Sequence, residues 1–116
     1  MTKIKIDIIM ENLLKEEVSL EKAIEQYIQN LNNFSKEYFE KNNYKIPSDV
    51  YEVIPGKRWQ KIAMRNWGGK GQRSVFAFID GNGDIYKPAG WNAPAKGVRG
   101  NIFDAKPPMT SRELYR

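Results

Sequence analysis

The apolar residues of this chain change their spacing at Pro47, and that change limits the possible fold more than any other feature. From Leu20 to Tyr38, apolar side chains recur every three or four residues, which predicts one face of an amphipathic helix. After Pro47 the apolar runs become short, strand-like and bounded by glycine and proline. The sequence therefore predicts an α+β fold, with N-terminal helices packed on a small antiparallel β-meander.

The helical part is predicted to contain two helices. Asp7 is expected to cap a short first helix, and Ser19 to cap a second helix that ends near Lys41. Asn42–Asn43 and then Pro47 provide the stop signal. We expect the whole apolar stripe of the second helix to pack into the core, its aromatic residues included. The stripe consists of Leu20, Ala23, Ile24, Tyr27, Ile28, Leu31, Phe34 and Tyr38.

Three or four antiparallel strands are predicted after the helices. The segments are Val50–Ile54, Arg58–Arg65, Arg73–Asp80 and Asp84–Lys87, with the glycine-rich connection Trp67–Gly71 between the second and the third.

The third of these segments contains the run SVFAFI, which is apolar on both sides. Alternation predicts that Phe76 and Phe78 point to one face of the sheet. The other face receives Val75, Ala77 and Ile79. Since the helix can cover only one face, self-association is the simplest way to cover the second, and we expect a homo-oligomer.

The length of 116 residues predicts a single domain. Its helical part is 1–46, its sheet and ligand loop are 47–104, and a tail follows at 105–116, whose role the sequence leaves open. No segment resembles a signal peptide or a membrane span, so we expect a cytoplasmic protein without a membrane partner.

The chain contains neither histidine nor cysteine, so it lacks the commonest general base, the commonest metal ligand and any thiol chemistry. We expect no catalytic residue, no metal site and no cofactor. The run DGNGD at Asp80–Asp84 imitates the start of a calcium loop, but the later positions that such a loop requires are Ile85 and Trp91. A hairpin turn is the predicted structure there.

The net charge of +5 is unevenly distributed. Residues 1–46 hold seven lysines and eight acidic residues, whereas residues 47–116 hold twelve lysines or arginines and six acidic residues. Arginine suits bidentate contacts with phosphate, so the second part is the expected anion-binding part. All six arginines lie there, at Arg58, Arg65, Arg73, Arg99, Arg112 and Arg116.

The run DIYKPAGWNAPAKGVRGN, from Asp84 to Asn101, concentrates binding chemistry in a rigid segment with three glycines and two prolines. Aromatic rings stack on bases, amides recognise polar edges, and basic side chains neutralise phosphate. This composition predicts a site for a nucleotide-like anion. The alternative is that Trp91 fills the core and the loop only closes the fold. The relevant side chains are Tyr86, Lys87, Trp91, Asn92, Lys96 and Arg99.

The runs GKRWQKI, RSVFAFID and DIYKPAGWNAPAKGVRGNIFD, which follow an amphipathic helix, resemble the phage-encoded Thoeris anti-defence proteins of the first type. The resemblance implies an oligomeric sponge. Such a protein sequesters, without degrading it, a cyclic ADP-ribose isomer of the glycocyclic type that TIR-domain enzymes make. It also implies that a separate site can hold cyclic oligonucleotide signals.

Within the matching run we expect Tyr86, Trp91 and Asn92 to contact adenine or ribose, and Lys87 and Arg99 to contact the pyrophosphate. Further candidate contacts are Arg58, Arg65, Arg73, Phe78 and Asn101.

A small basic nucleic-acid-binding protein is the alternative function, because basic and aromatic residues also alternate on adjacent predicted strands. These residues are Lys57, Arg58, Trp59, Lys61, Arg65 and Trp67.

Overall fold

The structure has an α+β fold in which one long helix precedes a five-stranded antiparallel sheet. The computed structural model describes residues 2–115, with side chains from Leu20 to Tyr115. The strands are hydrogen-bonded in sequence order, as in a meander. Within the described part of the chain, no helix combines the length and the apolarity needed to cross a membrane. The elements are α1 (Thr2–Lys41), β1 (Val50–Ile54), β2 (Gln60–Arg65), β3 (Arg73–Ile79), β4 (Asp84–Tyr86), β5 (Gly100–Asn101) and α2 (Ser111–Leu114).

The prediction of two N-terminal helices is wrong, because α1 is continuous from Thr2 to Lys41. The predicted caps Asp7 and Ser19 lie inside it. No glycine or proline interrupts this segment, so nothing stops the first helix before the second begins. The predicted end near Lys41 is confirmed: Asn43 has a left-handed φ of 55°, as the residue after a helix often has.

The core lies between α1 and one face of the sheet, which we call the helix face. Ile24, Tyr27 and Leu31 are buried there, as predicted. Phe34 and Tyr38 are 42% and 48% exposed, so the prediction that the whole stripe is core is wrong at its C-terminal end. The reason is the position of the sheet. The Ser35 hydroxyl donates to the carbonyl of Asp49, the residue before β1, so this end of α1 lies at the border of the sheet.

The predicted orientation of the β3 side chains is wrong, because the strand contains a β-bulge at Phe76. Ile62 pairs with Ala77, but the next residue, Ala63, pairs with Val75, which leaves Phe76 as the extra residue. An extra residue interrupts the alternation of side chains between the two faces. Phe76 therefore joins Ala77 in the core on the helix face.

Phe78 lies on the opposite face, which we call the outer face. It is only 2% exposed because Trp59 packs edge-to-face at 6.3 Å and the Lys61 ammonium lies 5.8 Å from its ring centroid. Phe76 instead contacts Tyr51 on the helix face. The chain thus covers its own second face at Phe78, and the argument for self-association from this strand no longer applies. The oligomeric state stays a prediction.

The C-terminal segment packs against the core. Leu114 of α2 is 0% exposed, and the Tyr27 hydroxyl donates to the carbonyl of Pro108. Thr110 caps α2 by accepting a hydrogen bond of 3.2 Å from the amide of Glu113. The tail at 105–116, whose role the sequence leaves open, therefore helps to close the hydrophobic core.

Candidate ligand-binding face

Strand register places basic and aromatic side chains of three strands together on the outer face. Lys61 is paired with Phe78, and Phe78 is paired with Tyr86. At the other end of the same hairpin, Arg65 is paired with Arg73. Because directly paired residues project to the same side of a sheet, these side chains form one surface. We call it the aromatic–basic stripe, which consists of Arg58, Trp59, Lys61, Arg65, Arg73, Phe78, Tyr86 and Trp91.

Trp91 joins the stripe from the loop between β4 and β5. The Lys61 ammonium lies 4.1 Å from the centroid of its ring, and the Arg73 guanidinium carbon lies 5.3 Å from the same centroid. Both distances fall within the range of cation–π attraction. Trp91 is 39% exposed, so the alternative prediction that Trp91 fills the core is wrong.

Trp59 lies at the end of the stripe that contains Arg58 and Tyr86. Its ring packs edge-to-face on Tyr86 with centroids 5.1 Å apart, and the Arg58 guanidinium lies 5.4 Å from its centroid. The Tyr86 hydroxyl donates to a carboxylate oxygen of Asp80 at 3.0 Å, and this hydrogen bond raises the pKa of Tyr86. Tyr86 is therefore a neutral aromatic residue held in a fixed position.

Glu52 on β1 orients the two arginines at the far end of the stripe. Its Oε1 accepts hydrogen bonds of 3.4 Å from Arg65 Nε and from Arg73 Nη1. One carboxylate thus serves two guanidinium groups, and Lys61 and Arg58 add further positive charge. The four cations of the stripe outnumber its acidic partners Glu52 and Asp80, which suits an anionic ligand.

The matched family model covers residues 1–114 and describes a family of unknown function, DUF7717. The chain belongs to this family. No curated protein and no solved structure matches the chain. Since the family description assigns no activity to DUF7717, the site has to be interpreted from its own chemistry.

Six of the ten predicted contact residues lie in the stripe of this DUF7717 chain, and four lie elsewhere. The Lys87 ammonium is 5.2 Å from the ring of Tyr115. The Asn101 amide donates to the carbonyl of Asn82 and to the carboxylate of Asp84, so it supports the turn. Arg99 is half-buried, and its backbone amide donates to the carbonyl of Ile85. The fourth, Asn92, is exposed on the loop.

Trp59 and Lys61 were expected only for the nucleic-acid alternative, yet both belong to the stripe: Trp59 packs on Phe78 and Tyr86, and Lys61 lies near Phe78 and Trp91. The signal for Lys61 in the sequence is the alternation along β2, which places Lys61 and Arg65 on the same side of that strand.

The Asp80–Asp84 turn is a hairpin turn, as predicted. Asp80 Oδ1 accepts hydrogen bonds from the backbone amides of Asn82 and Asp84, and Gly83 has a φ of 83°. The Asp80 carboxylate also accepts the Tyr86 hydroxyl, so its oxygens are engaged within the protein. This turn therefore supports the stripe through Tyr86.

Proposed function

We propose that the aromatic–basic stripe binds a nucleotide through its phosphates and a base, and that the protein holds this ligand without converting it. The observation that carries the proposal is the position of Trp91 beside both Lys61 and Arg73. An aromatic ring beside two cations offers a stacking surface next to phosphate ligands, which is the combination that nucleotides require.

The acidic groups near the stripe favour binding over turnover. Glu52 is engaged with Arg65 and Arg73, and the Asp80 carboxylate accepts three hydrogen bonds. A general base has to be available to take a proton from the substrate, and these carboxylates are already committed to other partners.

The resemblance supplies a specific ligand for this proposal, a cyclic ADP-ribose isomer of the glycocyclic type made in the cytoplasm of an infected bacterium. Cyclic oligonucleotide signals are a further proposed ligand class, for a separate site. A sponge has to bind tightly, and nanomolar affinity corresponds to about −12 kcal/mol. Because Trp91 is exposed in the single chain, we propose that a second copy covers the bound ligand.

Native mass spectrometry of the protein with the TIR-made cyclic ADP-ribose isomer tests the proposal. We expect an oligomer that gains the intact ligand mass and releases the ligand unchanged on denaturation. Released ligand of altered mass would show that the protein is an enzyme. If the protein gains no mass, its binding of this isomer is refuted.

A pair of variants with the same loss of charge tests the stripe itself. Arg73→Ala removes a cation next to Trp91, whereas Lys87→Ala removes one that lies near Tyr115 outside the stripe. We expect calorimetry to show affinity reduced by about tenfold or more for Arg73→Ala, the cost of a charged hydrogen bond, and almost unchanged for Lys87→Ala. Equal losses would contradict the assignment of the site.

Single-stranded nucleic acid is the second candidate ligand, favoured by the linear arrangement of the stripe from Arg58–Trp59 to Arg65. Bases can stack along such a surface while the cations follow the backbone. Its affinity should fall steeply with salt, with a slope of about −0.7 per neutralised phosphate in a logarithmic plot. An oligothymidine titration at several salt concentrations would support this candidate if the slope is steep, and exclude it if no binding occurs at low salt.

A further inference from the structure

A cavity of about 270 Å³ lies where α1, the start of β1 and the start of α2 meet, away from the aromatic–basic stripe. Four aromatic residues line it. Phe34, Tyr38 and Phe39 come from α1, and Tyr51 comes from β1. We call it the aromatic cavity.

Neighbouring rings fix the position of these aromatic walls. Phe34 and Tyr38 stack with centroids 6.4 Å apart and planes 18° from parallel. Tyr44 packs edge-to-face on Phe39 at 5.1 Å, and Phe76 does the same on Tyr51 at 5.3 Å. The rings of Phe39 and Tyr51 are therefore supported from outside the cavity, and those of Phe34 and Tyr38 support each other.

One acidic residue, Asp49, lines the same cavity. The backbone of this residue is anchored, because the Ser35 hydroxyl donates to its carbonyl at 2.8 Å. Among the described side chains no salt bridge reaches the Asp49 carboxylate, and partial burial raises the pKa of its carboxyl group. A negative charge that is partly removed from water thus lies at the cavity, and no salt bridge from a described side chain neutralises it.

Arg112 of α2 also lines the cavity and is exposed. No ion pair joins it to Asp49 within residues 20–115. The positive charge of Arg112 repels a cation that enters the cavity, so removal of this charge should favour cation binding.

We propose that the aromatic cavity binds a small organic cation with an alkylated ammonium head group. Aromatic faces carry a negative quadrupole that attracts such cations, and the Asp49 carboxylate adds a full negative charge beside them. The volume lies just below the roughly 300 Å³ at which pockets for larger ligands begin, so the cavity suits a head group and not a nucleotide. This site does not depend on the function proposed for the stripe.

Choline and its uncharged carbon analogue 3,3-dimethylbutan-1-ol provide a direct test, since they have nearly the same shape. In a titration followed by nuclear magnetic resonance, we expect choline to shift the signals of Tyr38 and Tyr51 and to bind about tenfold more tightly than the alcohol. Equal binding would show an apolar cavity without selectivity for a cation. Either that result or the absence of choline binding would overturn the proposal.

Three variants test the charges in opposite directions. Asp49→Asn should weaken choline binding, and Arg112→Ala should strengthen it, each by several-fold. Lys41→Ala removes an exposed cation that does not line the cavity and serves as the matched control, with no change expected. Circular dichroism confirms that each variant is folded. Unchanged affinity in Asp49→Asn, or an equal effect of Arg112→Ala and Lys41→Ala, would overturn the proposal.

Discussion

Asn32 on α1 completes the outer edge of β1 in the way that a neighbouring strand would. Its Nδ2 donates to the carbonyl of Tyr51 at 3.1 Å, and its Oδ1 accepts from the amide of Tyr51 at 2.6 Å. An edge strand with free backbone groups pairs readily with other chains. One side chain of the helix therefore satisfies the sheet edge at Tyr51 and also fixes α1 against it.

Replacing this residue should be costly for the fold. Asn32→Leu leaves both backbone groups of Tyr51 without their partner, and we expect the free energy of unfolding to fall by about 2–4 kcal/mol. Urea denaturation measures the change. The control is Asn33→Leu at an exposed neighbouring position, where a change within about 0.5 kcal/mol is expected. Similar losses in the two variants would show that the amide of Asn32 has no special role.

The role of Asn32 could not be read from the sequence, because it depends on where β1 lies relative to α1. A polar residue beside an apolar stripe is also typical of a solvent-exposed position. The residues of the stripe were easier to predict, since Arg65 and Arg73 flank a short connection between strands. Lys87 and Asn101 were assigned to the site by residue type alone. In the structure Lys87 lies near Tyr115, and Asn101 is hydrogen-bonded to the Asp80–Asp84 turn.

At the scale of elements, predictions succeeded where the chain contains strong local signals. The bounds of β1 are those predicted, and Pro47 and Pro55 flank this strand. The bulge at Phe76 and the two-residue strand β5 have no local signal, because they follow from pairing with distant residues. The short helix α2 was missed for a related reason: its stability depends on the burial of Leu114 against the core.

Leu114 is therefore expected to anchor α2 and the segment before it. Leu114→Ala removes a fully buried side chain, and we expect the free energy of unfolding to fall by about 2–5 kcal/mol. Tyr115→Ala is the control in the adjacent, exposed position, where only the weak contact with Lys87 is lost and about 0.5–1 kcal/mol is expected. If thermal or urea unfolding gives the same value for both, the C-terminal segment does not belong to the cooperative core.

At the scale of the whole molecule, the sheet separates two surfaces of different charge. The outer face carries the aromatic–basic stripe, whereas the exposed residues of α1 include both acidic and basic side chains. The net charge of +5 by itself would attract anions to any part of the surface. The proposed function instead requires that the local charge of the stripe decides the affinity.

Two charge reversals separate these explanations, because Lys61→Glu in the stripe and Lys22→Glu on α1 lower the net charge by the same two units. At physiological salt, charges are screened over about 8 Å, less than the roughly 10 Å between packed layers of a fold. Calorimetry with the cyclic ADP-ribose isomer should therefore show that Lys61→Glu abolishes binding and that Lys22→Glu leaves it almost unchanged. At about 0.01 M salt, where the screening length is near 30 Å, Lys22→Glu should also weaken binding. If the two variants weaken binding equally at physiological salt, net charge rather than the stripe attracts the ligand, and the proposed site is wrong.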